Sequence, residues 1–168
     1  MQVCATDRLQ LRHFNVQDAP FIVALLNDPG FIRYIADKQV RTEADAIGYL
    51  VEGPLASYRR NGFGLNAVVH SASNTLIGMC GVILRDGLPN PDLGYAFLSE
   101  HCNQGFATEA CIATVSLAQA QWKIPTLLAI TLPENTGSAR VLQKLGFSPA
   151  GSITLNKQTN NLFELTAS

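Results

Sequence analysis

Leu9 and Leu11 alternate with Arg8, Gln10 and Arg12, the period of two expected of a half-buried strand. A helix is expected next, capped near Asp18, with Pro20 tolerated in its first turn. Phe21, Ala24, Leu25 and Asp28 keep helical spacing, and Asp28-Pro29-Gly30 is expected to stop the helix. Thr42 with Asp45 marks a second helix start, because the hydroxyl and carboxylate can satisfy free backbone N–H groups there. Gly53-Pro54 is expected to interrupt or kink that helix, since proline removes a hydrogen bond and clashes with the preceding turn.

From Gly62 the texture becomes β-rich. Leu65 to His70 and Thr75 to Leu84 read as strands joined by a hairpin turn at Ser71-Ala72-Ser73-Asn74. Pro89-Asn90-Pro91 breaks the chain before a further strand, Leu93 to Leu98. Gly105 to Trp122 reads as a helix, with Cys111, Val115, Ala118 and Trp122 forming one buried stripe. Thr126 to Leu132 is nearly all apolar, as expected of a central strand covered on both faces. Ser138 to Leu145 reads as a helix closed by Gly146, and Ile153–Leu155 with Leu162–Leu165 as a final hairpin. The order β–α–α–β–β–β–α–β–α–β–β, without repeat or linker, predicts one mixed α/β domain over residues 1–168.

Charge removes several classes of partner. The formal net charge is −1, so nothing favours a nucleic-acid backbone or an anionic membrane surface, both of which call for surplus Lys and Arg. No apolar run approaches the roughly 20 residues of a membrane helix. Asp7, Arg8 and Arg12 leave no apolar signal-peptide core. Cys4, Cys80, Cys102 and Cys111 show neither CxxC spacing nor a Cys/His cluster, so no metal is expected. They read as reduced thiols of a cytoplasmic protein. The low charged fraction of 15% is compatible with either a monomer or a homodimer.

Candidate chemistry concentrates in Asn103-Gln104-Gly105-Phe106-Ala107-Thr108-Glu109-Ala110, between a predicted strand and a predicted helix. Small residues at 105 and 107 allow close backbone approach. The helix start offers free N–H groups and a partial positive charge, which suits a pyrophosphate. A simple turn has the same spacing. The segment lacks both the Gly-Lys-Ser/Thr ending of a Walker loop and the GxGxxG of a dinucleotide loop.

Taken with its neighbours, this segment resembles a known family. Asp92-Leu93-Gly94-Tyr95 through Gln104-Gly105-Phe106-Ala107-Thr108-Glu109-Ala110 is similar to the acetyl-CoA-binding strand–loop–helix of GNAT acetyltransferases, in particular the RimJ/RimL-type branch. A second hallmark is similar in Pro133-Glu134-Asn135-Thr136-Gly137-Ser138 with Val141-Leu142-Gln143-Lys144-Leu145-Gly146-Phe147. Thr6 to Arg12 and Leu76 to Gly81 match in register too, so the resemblance spans nearly the whole chain. It implies a mixed, mostly antiparallel sheet, splayed at a central cofactor cleft, with helices on both faces. It also implies transfer of acetyl from acetyl-CoA to a primary amine in a ternary complex.

The resemblance also assigns roles. The pyrophosphate is expected on Asn103, Gln104, Gly105, Phe106, Ala107 and Thr108, and the pantetheine arm along Phe97 and Leu98, with Asn135 holding either that arm or the start of the helix. Asp92 stands where the family carries a candidate base, one methylene shorter than the usual Glu and so working through a water. Strand-end solvation is the alternative for Asp92. Ser138 matches the candidate acid for the departing thiolate, with a helix cap as the alternative. The Tyr that many relatives place four residues later is Leu142 here, and the loop position often held by Gln, Arg or Trp is Cys102. Cys102 reads as a small filler, or as a thiol able to pair with CoA. The acceptor is a protein or peptide N-terminus if the branch holds. The alternatives are a small amine (amino acid, polyamine or aminoglycoside) or a non-catalytic acyl-CoA-binding module.

Overall fold

The computed structural model describes residues 1–167, beginning with a short strand, β1 (Gln2–Ala5), antiparallel to β2 (Leu9–Arg12). Strand β1 was not expected. Its four residues carry no alternation of their own and are held by the β2 ladder.

The first helix begins beside Asp18 with Pro20 in its first turn, as expected; the departure lies at Asp28-Pro29-Gly30. A 3₁₀ turn over Val16–Asp18 precedes α1 (Ala19–Leu26). Its cap is Asn15, whose Oδ1 accepts the Gln17 N–H at 2.8 Å, while Asp18 returns to the Asn15 N–H at 2.9 Å. Asp28-Pro29-Gly30 opens a new helix, α2 (Pro29–Tyr34), rather than only closing the last one. Proline's fixed φ suits a first helical position, and Asp28 accepts the Gly30 N–H at 3.0 Å. Helix α3 (Glu43–Leu50) carries the expected Thr42/Asp45 capping box. Gly53-Pro54 interrupts it as expected: the ladder widens into a π-helical turn over Val51–Leu55 and resumes as α4 (Ala56–Asn61).

Strands β3 (Leu65–His70), β4 (Thr75–Ile83) and β5 (Asp92–Phe97) complete an antiparallel run. Helix α5 (Phe106–Ala120) then crosses over to β6 (Thr126–Thr131), which lies parallel to β5, as a βαβ crossover requires. Helix α6 (Thr136–Lys144) and the hairpin of β7 (Ser148–Leu155) and β8 (Gln158–Thr166) finish the chain. The hairpin is longer than its apolar residues advertised, because much of β7 faces solvent. The eight strands form one sheet in the order β1-β2-β3-β4-β5-β6-β8-β7.

Strand alternation sends one set of side chains to each face. Leu11, Val68, Cys80, Val82, Leu127 and Ala129 pack under α5 and α6. Ala67, Met79 and Ala96 face the opposite way, under α1, α2 and α3. The mixed α/β architecture with a mostly antiparallel sheet and helices on both faces is therefore as expected. The α5 stripe is buried at Cys111 and Ala118, and Trp122 lies 5.4 Å from Phe63.

The cofactor cleft and candidate active site

The parallel junction is where the sheet opens. Among the described residues, β5 and β6 share a single register pair, Asp92 with Leu128, supported by the Leu128 N–H donating to Pro91 O at 2.9 Å. Beyond Asp92 the strands part. Leu98 N–H donates to Ile77 O at 3.0 Å, which turns the Leu98 amide toward β4. By ladder alternation, the backbone groups of Tyr95 and Phe97 face the gap. Phe97 is thus placed to pair with a ligand lying in the cleft. Leu98 is not: its carbonyl already accepts the His101 N–H at 2.9 Å.

The loop beyond β5 closes one end of this gap. Asn103 and Gly105 take left-handed φ values of +61° and +83°, and Gly105 is the N-cap of α5. Among the described residues no side chain caps the helix, so its first-turn N–H groups, including those of Phe106, Ala107 and Thr108, lack helical acceptors. Phe106 is 5% exposed and anchors the turn, with His70 5.3 Å from its ring. A residue that sequence reasoning left without a role holds the loop from outside. Arg8 donates from Nη1 to Gln104 O at 3.0 Å and from Nε to Glu109 at 2.8 Å, with its guanidinium 4.4 Å over the Phe106 ring. Glu109 also accepts Thr6 Oγ1–H at 2.5 Å and the Arg8 N–H at 3.0 Å. Burial alone would raise its carboxyl, but the bonds from Thr6 and Arg8 hold it below its ordinary value.

Helix α6 forms the opposite wall. Asn135 Oδ1 accepts the Ser138 N–H at 3.2 Å, so Asn135 is a helix cap as well as a candidate contact for the arm of a ligand. The Ser138 hydroxyl is in hydrogen-bond contact with the Tyr95 hydroxyl, which also lies 3.3 Å from Ser138 O. This contact bridges β5 and α6. At the end of β6, Thr131 Oγ1 is buried without a partner among the described residues. An orphaned hydroxyl beside a gap in a sheet, together with the uncapped α5 terminus, fits an amide-containing chain ending in phosphates.

The chain matches the acetyltransferase (GNAT) domain over residues 8–148. It is a GNAT acetyltransferase. A relative, YoaA of Bacillus subtilis, described as an uncharacterized N-acetyltransferase, is 27% identical over 90% of this chain and 85% of its own. Among solved structures, a GNAT-family acetyltransferase from Bacillus anthracis superposes with a TM-score of 0.80 at 24% identity, covering 99% of this chain and 98% of its own. RimL, described as a ribosomal L7/L12 alpha-N-protein acetyltransferase and solved with coenzyme A disulfide-bonded to one of its cysteines, superposes with a TM-score of 0.84 at 14% identity. That match covers 99% of this chain and 98% of RimL.

Asp92 sits at the apex of this acetyltransferase's cleft, 1% exposed, with Arg85 Nη2 and Nε at 3.2 and 3.4 Å from its two oxygens. Burial raises its carboxyl above the ordinary range, and Arg85 only partly offsets this. That ion pair is not visible in the residue pattern, because Arg85 lies across a loop from Asp92. Cys102 turns its Sγ toward Leu98 O at 3.6 Å and Phe97 O at 3.8 Å. Burial and then Asp28 push its thiol up, which disfavours the thiolate. Tyr58 is structural. It bonds the Phe14 N–H at 3.0 Å and Leu65 O, and it stacks on His13 at 3.7 Å. The α6 position four residues after Ser138 is Leu142, fully buried.

Proposed function

We propose that this acetyltransferase moves acetyl from acetyl-CoA directly to a primary amine, as one domain spanning residues 1–168. The observation that carries the proposal is the opened β5–β6 junction, with uncapped amides at the α5 terminus and the Ser138 hydroxyl on its far wall. Asn103, Gln104, Gly105, Phe106, Ala107 and Thr108 cradle the pyrophosphate. The Phe97 backbone and the Asn135 side chain hold the pantetheine arm. The amine enters from the face covered by α1, α2 and α3.

The attacking nitrogen must be neutral. Asp92 takes its proton through a water: a carboxylate has about four acceptor positions, and Arg85 occupies two. The neutral nitrogen bonds to the carbonyl carbon as the C=O pair moves to oxygen. The nitrogen then gives its second proton to water, the carbonyl re-forms, the carbon–sulfur bond breaks, and its electron pair goes to sulfur. Ser138 protonates the sulfur and recovers its own proton from solvent. The buried carboxyl, raised by desolvation, is better matched to this work than a surface Asp.

The acceptor is a protein or peptide N-terminus, the chemistry of the RimJ/RimL branch. The sequence hallmarks and the likeness to the RimL fold support this branch. The protein works in the cytoplasm with its four cysteines reduced. No helix among the described residues is long and apolar enough to cross a membrane.

Calorimetric titration with acetyl-CoA and with desulfo-CoA, followed by a screen of peptides with free N-termini, tests this. Binding of both, with turnover that falls about 10²-fold or more in Ser138→Ala, is expected. Absence of binding to either ligand by the folded protein would overturn the cofactor assignment. Binding with Ser138→Ala at full turnover would leave Ser138 as a helix residue only.

A further inference from the structure

We infer that Tyr95 is a positioning residue for the leaving thiolate, acting through Ser138, because the two hydroxyls form a cross-cleft pair that can exchange donor and acceptor roles. The inference rests on the proposed acetyl transfer and on Ser138 as the group that meets sulfur.

The geometry allows two hydrogen-bond arrangements. In one, the Ser138 hydroxyl donates to the Tyr95 oxygen, and the phenol donates to Ser138 O at 3.3 Å. Both hydroxyls are then satisfied within the pair. In the other, both protons turn: the phenol donates to Ser138 Oγ, and the Ser138 hydroxyl is released to donate into the cleft. A half-buried serine offered to a ligand without such a partner would lose one bond as it made another. Here Tyr95 supplies the replacement, and its donation polarises the Ser138 hydroxyl.

Three further features fix the pair. Asn135 Oδ1 holds the Ser138 N–H at 3.2 Å, so the serine backbone cannot swing. Tyr95 stands opposite Cys80 in the β4–β5 register and is half-buried against the core under α5. Burial, with the Cys111 and Cys80 thiols beside it, raises the phenol well above its ordinary value, so Tyr95 remains a donor at any working pH. The group four residues beyond Ser138 is the apolar Leu142, which leaves the β5 tyrosine as the phenol in contact with Ser138.

The test uses coenzyme A itself and needs no acceptor. The thiolate of bound CoA is followed by ultraviolet absorption against pH, with the desulfo-CoA complex subtracted to remove the protein's own titration. Ser138→Ala is expected to raise the pKa of the bound thiol by about one unit, the scale of one hydrogen bond to a charged group. Tyr95→Phe should raise it by a smaller amount, about 10–30% of that shift, with CoA affinity kept within about twofold. The double variant should match Ser138→Ala alone. A fluorotyrosine at position 95, which keeps ring and hydroxyl but donates more strongly, should shift the titration down, and this covers any failure of Tyr95→Phe to fold. Unchanged titration in Tyr95→Phe or with fluorotyrosine, or a double variant whose shifts simply add, overturns the inference and leaves the acetyl-transfer proposal standing. A Ser138→Ala complex that titrates like the wild type removes both roles at sulfur. Failure of the wild type to bind CoA removes the cleft assignment itself.

Discussion

Replacing Arg8 by alanine would unlatch the 103–108 loop without touching any ligand, and the size of the effect can be worked from three contacts. The Arg8–Glu109 pair is 2.8 Å long with side chains 43% and 20% exposed, so after solvent screening it contributes about 0.2–1 kcal/mol. The bond from Nη1 to Gln104 O at 3.0 Å adds about 0.5–1.5 kcal/mol. The guanidinium over Phe106 at 4.4 Å adds about 0.5–1 kcal/mol at an exposed site. These share one side chain and do not add fully, which leaves about 1.5–2 kcal/mol of loop order. If binding must restore that order, CoA affinity falls roughly 10- to 30-fold. Calorimetric titration of Arg8→Ala reads this directly. Arg8→Lys keeps the charge but loses the forked geometry, and should fall between the two. If Arg8→Ala melts lower yet binds CoA within about twofold of wild type, the loop forms without its latch and the reasoning is wrong.

Gly105→Glu should abolish CoA binding, because a side chain there begins 3.2 Å from Arg8 Nη2 in a left-handed backbone and brings a carboxylate to a phosphate site; titration calorimetry checks it. Asp92→Asn separates chemistry from stability. A carboxyl whose folded pKa is raised stabilises the fold only at low pH, and that contribution is lost as pH rises through the folded value. Near neutral pH the variant should therefore melt no lower than wild type while turnover falls about 10²- to 10⁴-fold; retained turnover would end the base assignment. Glu109 has the opposite sign. Its lowered pKa gives stability that is present above the unfolded value and lost as pH falls through the folded one. Thermal melts in acid should show this loss in wild type and a flatter profile in Glu109→Gln.

The elements that were legible from sequence are those whose partners lie nearby in the chain. The Thr42/Asp45 box and the β3–β4 hairpin are local, and both were found where the residue pattern put them. Asp28-Pro29-Gly30 misled because the same residues end one helix and begin another, and only packing decides between them. Of the site, the helix start at Gly105 and the Asn135 cap were readable from residue type. The Arg8 latch and the Arg85–Asp92 pair were not. Arg8 reaches residues about a hundred positions away, and Arg85 meets Asp92 only because β4 and β5 turn back on each other. Tyr95 lay inside a recognised motif, but its role depends on α6, forty-three residues further along.

The single-pair junction between β5 and β6 divides the sheet into two sets of strands. Strands β1 to β5 all precede Leu98, and β6 to β8 all follow Ile124, so the weakest line in the sheet nearly coincides with one interval of sequence. Helix α5 belongs to the first part by covalent connection, and it packs chiefly on β4 and β5. A cut between Gln121 and Pro125 would then yield two fragments, each keeping its own antiparallel ladders and meeting along a seam with few bonds of its own. Their reassembly would depend on whatever occupies that seam. A pair of complementing fragments, rather than the intact chain, would make CoA visible as an assembly signal.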